Sequence, residues 1–72
     1  MMSKFQVGEI VEWNWGDGRA KGKIADRFER RVTRQIKGQE ITRNGSSDTP
    51  AFLIEQEDGG RVLKLESELS KV

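Results

Sequence analysis

The 72-residue chain has no cysteine and no histidine. Without cysteine, neither disulfides nor thiolate metal sites brace a fold this small. Without histidine, imidazole acid–base chemistry and nearly all zinc sites are excluded. Aromatic residues are few: Phe5, Trp13, Trp15, Phe28 and Phe52 make up the whole set. No apolar run approaches the roughly 18 residues of a membrane span, and the opening stretch MMSKFQVGEI lacks the apolar core of a signal peptide. The expectation is a soluble cytoplasmic protein with no membrane contact, no metal and no cofactor.

Hydrophobic residues make up 33% of the chain and charged residues 35%. That is lean for a core, yet the apolar positions fall into clear strand patterns, which favours a folded domain over disorder. A chain of this length is read as one domain, residues 1–72 with a core at about 5–69, burying only about 60% of the surface its unfolded form exposes. The formal net charge of +1 is unevenly divided. Residues 19–43 hold nine basic side chains against Asp26, Glu29 and Glu40, a net +6, while residues 1–18 carry −2 and residues 44–72 carry −3. A basic middle is flanked by acidic ends.

From Val7 to Trp15, four of five odd positions are apolar (Val7, Val11, Trp13, Trp15), the period-2 signature of a half-buried strand. Gly16-Asp17-Gly18 supplies the positive φ angles of a tight reversal. The return run Lys21–Glu29 puts Ile24 and Phe28 on one parity, and a third run, Arg31–Ile36, sets Val32 and Ile36 on one face with Arg34 between them. Lys37-Gly38-Gln39 reads as a second turn. Residues 42–50, TRNGSSDTP, are polar and rich in turn formers, so one long loop is expected there. Ala51–Gln56 is apolar on both parities and reads as a central, covered strand. Asp58-Gly59-Gly60 signals a hairpin returning through Arg61–Leu65, and the tail ESELSKV suits one helical or 3₁₀ turn whose Leu69 plugs the end of the barrel. Five short strands in so few residues point to an all-β fold, a small closed or nearly closed barrel.

Two stretches carry a family resemblance. VGEIVEWNWGDGRAKGKI at the front and PAFLIEQEDGGRVLKLESEL at the back together resemble the small hypervirulence-associated Tudor-like domains, from about Phe5 to Leu69. The resemblance implies a five-stranded SH3-like barrel of the Tudor type with no established enzyme activity. Phe52 stands where that family commonly has Tyr, and Leu63 where a His often precedes the Lys. No role resting on that phenol or imidazole carries over.

The candidate binding residues are Trp15, Asp17, Arg19, Lys21, Arg27, Arg30, Arg31 and Arg34. Trp13 is assigned to the core, whereas Trp15, beside Gly16, sits where a strand reaches the rim. A methyl-lysine cage needs several ring faces around one cation; with at least three of the five aromatics committed to the core by pattern, too few remain. Arg27, Arg30, Arg31, Arg34 and Lys37 lie along one hairpin, where phosphates could bind with Trp15 stacking on a base, although Asp26 and Glu29 interrupt the stripe. Gly16, Gly18 and Gly22 fail the dinucleotide fingerprint because Lys21 occupies the position of its third glycine. Glu55, Glu57, Asp58, Glu66 and Glu68 lack metal-ligand spacing.

The sequence therefore leads to a non-enzymatic module that recognises a protein partner through the barrel rim around residues 16–20 and the basic hairpin. Nucleic-acid binding through hairpin 27–37 is the alternative, and structural self-association the second, with a monomer the default state.

Overall fold

A computed structural model describes residues 5–72; the first four residues of the expected 1–72 domain lie outside the described residues. Seven strands form: β1 (Ile10–Trp15), β2 (Gly18–Phe28), β3 (Arg31–Ile36), β4 (Gln39–Asn44), β5 (Ala51–Glu55), β6 (Arg61–Leu65) and β7 (Ser70–Lys71). A 3₁₀ turn at Glu66–Glu68 precedes β7. The fold is all-β, as expected. It does not close into the expected barrel, because the hydrogen-bonded ladders make two separate sheets: five strands in the order β6-β5-β2-β1-β7, and the β3-β4 hairpin by itself.

The larger sheet is strongly curled, and chain connectivity forces this. β6 and β7 occupy its opposite edges yet are joined only by residues 66–69. Four flat strand spacings of about 4.8 Å would separate them by roughly 19 Å. A link made mostly of a 3₁₀ turn reaches roughly 14 Å, so the edges must bend toward one another. Inside the curl, Phe5, Val11, Trp13, Ile24, Phe52, Ile54 and Leu69 form the first core cluster, with the Phe5 and Phe52 rings edge to face at 6.1 Å and 84°. Trp13 is only 3% exposed, and Leu69 is buried in the same cluster.

A second cluster lies on the other side of β5 and β6. Phe28, Val32, Ala51 and Leu63 are buried there, with Ile36, Ile41, Leu53 and Leu65 packed around them. β5 thus turns Phe52 and Ile54 to one core and Ala51 and Leu53 to the other, which is why its sequence is apolar on both parities. The β3-β4 hairpin is the cover over that second face.

Three expectations change. Ile24 and Phe28 share a parity but not a core: the ladder to β5 pairs Ile24 with Ile54 and then Asp26 with Leu53, so a bulge at Ala25 reverses the facing beyond it. The strand expected from Val7 begins only at Ile10; Val7 lies in a turn whose Gly8 has φ 96°, and it is 59% exposed instead of buried. Residues 42–44 of the expected long loop belong to β4, in register with Arg31–Thr33. The hairpin is set by a two-residue turn with Lys37 at φ 51° and Gly38 at φ 77°, the paired positive angles that match strand twist. Thr33 and Thr42, directly opposite, share a hydroxyl hydrogen bond of 2.8 Å.

What remains of the loop is anchored at Gly45. Its N–H donates to the Arg30 carbonyl at 3.1 Å, and a Cβ there would come within 2.5 Å of the Phe28 carbonyl oxygen and 2.8 Å of the Ala51 nitrogen. Only glycine permits this approach of three backbone segments.

Candidate binding groove

Trp15 shares the parity of Val11 and Trp13, but it closes the strand. Its cross-strand partner is Gly18, which has no side chain to cover it, and the chain reverses immediately afterwards. The indole is therefore left 72% exposed while Trp13, two residues earlier, is enclosed. Phe5, Phe28, Phe52 and Trp13 are all buried, so one exposed ring remains and no aromatic cage forms among the described residues.

The exposed indole lines a groove of about 290 Å³ between β4 and β6. Ile36, Ile41, Val62 and Leu63 supply its apolar lining; Leu63 is buried and the other three are half-buried. Lys37, Arg43, Arg61 and Lys64 also line it, and no carboxylate does. The two flanking strands are hydrogen-bonded on one side only, β4 to β3 and β6 to β5. The groove is the opening left where the two sheets fail to join.

Glu68, outside the lining itself, reaches two of the cations. Glu68 places a carboxylate oxygen 3.8 Å from Arg43 Nε and the other 3.9 Å from Lys64 Nζ. These separations exceed hydrogen-bond length, and ion pairs this exposed are worth at most about 1 kcal/mol. The firmer bond of Glu68 is to the Leu65 N–H, which donates to it at 2.8 Å.

The residues singled out from the sequence fall in three places. Trp15 is in the groove. Arg19 and Lys21 pair in register with Asn14 and Glu12, so strand alternation turns them to the sheet face opposite Trp15. There Arg19 forms an ion pair with Glu12 at 3.0 Å, and Lys21 lines two further pockets of about 400 and 410 Å³ beside Gln56 and Glu57. Asp17 is exposed in the turn. Arg27, Arg30, Arg31 and Arg34 gather at the far end of β2, up to about 26 Å of extended strand from Arg19. Arg27 is paired with Glu29. The Arg30 and Arg34 guanidiniums lie 5.4 and 4.8 Å from the centroid of the Phe28 ring, and Arg34 donates to the Thr33 carbonyl at 2.9 Å.

Of the residues lining the groove, the sequence points to the Trp15 ring and, in the hairpin stripe, to Lys37, but not to Arg43, Arg61 or Lys64. Arg43 sat in the supposed loop, and Arg61 and Lys64 in an acidic third of the chain. Only the packing of β4 beside β6 brings them together.

Among the described residues no helix is long and apolar enough to cross a membrane. No curated protein and no solved structure matches the chain. A model of the family described as hypervirulence associated proteins Tudor domain matches residues 8–69, a span that contains every residue lining the groove.

Proposed function

The chain belongs to the hypervirulence associated proteins Tudor domain family, and on that premise we propose that it is a non-enzymatic binding module that recognises a protein partner through the groove between β4 and β6. In this reading the curled sheet and its hairpin form an SH3-like barrel of the Tudor type, left open along that groove, and the protein works as a cytoplasmic monomer. The observation that carries the reading is the exposed Trp15 indole beside an apolar trough. Tryptophan dominates binding energy at protein interfaces and is costly to leave in water without such a purpose. Aliphatic side chains below it suit another protein's apolar side chains, whereas phosphates and bases have no use for them.

Nucleic-acid binding along hairpin 27–37 is less well supported, because Arg27, Arg30 and Arg34 already engage Glu29 and the Phe28 ring. The deciding experiment is selection from a displayed random peptide library on the wild-type domain, with counter-selection on Trp15→Ala. The reading expects peptides that bind the wild type and lose at least tenfold in affinity on the variant, which must retain its thermal midpoint. Selected peptides that bind both forms equally would remove the groove as the site. Failure to select any peptide, together with tight binding of a single-stranded oligonucleotide, would replace protein recognition with nucleic-acid recognition.

A further inference from the structure

The groove carries information about the charge and shape of what enters it. Lys37 and Arg43 come from the β3-β4 hairpin and Arg61 and Lys64 from β6, two segments distant in sequence, and all four line one trough with no carboxylate in its lining. Four cations placed together in a protein of net charge +1 repel one another, so their convergence is most easily understood as half of an interface. Glu68 reaches two of them, Arg43 and Lys64, loosely at 3.8 and 3.9 Å. It marks where an anionic group sits without satisfying either cation.

The walls add a constraint of shape. β4 and β6 each have a ladder on one side only, so each has an unpaired edge beside the trough they line. A strand-like segment can lie along it, offer backbone groups to an unpaired edge and place alternate side chains up and down.

We propose that the ligand is an extended acidic peptide segment. Its apolar side chain packs between the Trp15 indole and Ile36 or Ile41, and its flanking Asp or Glu carboxylates pair with Arg61 and Lys37 at one end and with Arg43 and Lys64 at the other. This rests on the protein-recognition reading and names the chemistry of the partner. On binding, the ligand's carboxylate takes over the Arg43 and Lys64 contacts, while Glu68 keeps its hydrogen bond from the Leu65 N–H. Charge complementarity of this kind speeds encounter and makes affinity fall with salt.

The test uses two synthetic peptides of equal length, one with a central Leu flanked by Glu residues and one with every Glu replaced by Gln. Each is titrated calorimetrically into the wild-type domain, into Arg61→Gln/Lys64→Gln, and into Arg31→Gln as a control at the far end of the molecule. The expected result is at least tenfold tighter binding of the Glu peptide. That difference should shrink to threefold or less in the double variant or at high salt, and persist in Arg31→Gln. Equal binding of the two peptides at the Trp15 groove would overturn the acidic preference and leave protein recognition standing. Loss of the Glu preference in Arg31→Gln, with the double variant unaffected, would overturn the site. Binding of neither peptide would overturn this inference, and the library selection above then decides the broader reading separately.

Discussion

At the scale of single residues, the two tryptophans do different work although the sequence sets them on the same parity. Trp13 meets the side chains of the curled sheet; Trp15 meets Gly18 and a turn. Trp13→Ala is expected to cost about 3–5 kcal/mol, enough to unfold much of so small a domain, as chemical denaturation would reveal. Gly45→Ala tests a different contact. Its new methyl would press on backbone atoms of β2 and β5 that cannot rotate away, so we expect a loss of about 1–3 kcal/mol. An unchanged midpoint would mean the loop had shifted at no cost. Lys37 sits at φ 51° beside Gly38, a conformation Asn tolerates better than Lys. Lys37→Asn should raise stability by about 0.5 kcal/mol, a few degrees in Tm, while weakening the acidic peptide several-fold. Those two opposite effects, read by calorimetry on one variant, separate the turn's structural part from its part in the groove.

At the scale of elements, the sequence disclosed the strands that bury apolar residues and hid the rest. β1, β2, β3, β5 and β6 all carry alternating or doubled apolar positions, and all were legible. β4 is QEITRN, with Ile41 its only apolar residue, because its outer face is solvent and much of its inner face is Arg43 at the groove. A strand that borders a charged groove carries the composition of a loop. The bulge at Ala25 was equally invisible, since one unpaired residue leaves no mark on composition, yet it decides that Phe28 packs under the hairpin instead of with Ile24. The candidate site was legible only at Trp15 and Lys37. Its other cations lie in segments whose adjacency follows from sheet packing, a non-local fact that spacing along the chain does not encode. For the hairpin itself, Val32→Ala should cost about 2 kcal/mol and lower the midpoint of the entire transition. Detachment of β3-β4 as a separate early step would show that the hairpin is not integrated with the sheet.

At the scale of the whole molecule, both clusters share β5 and β6 as a common wall, and the chain packs into 31 × 28 × 21 Å. Neither half has a core without those strands, so unfolding followed by the Trp13 signal in a Trp15→Phe background should coincide with backbone circular dichroism as one transition. Val7, Ile10 and Val72 are exposed apolar residues, and β7, two residues long, covers only part of the β1 edge. Sedimentation over a wide concentration range is expected to give one monomeric mass. A mass that rises with concentration would favour self-association along that edge over the monomeric module proposed here.

The central claim is that Trp15 and not Trp13 meets the ligand. The most direct measurement is the pair of indole N–H signals in a ¹⁵N correlation spectrum, assigned with Trp15→Phe and followed as the Glu peptide is added at low salt. The account predicts that the Trp15 signal moves progressively to saturation while the Trp13 signal stays in place. Movement of Trp13 alone, or of neither indole while the peptide binds, would contradict it.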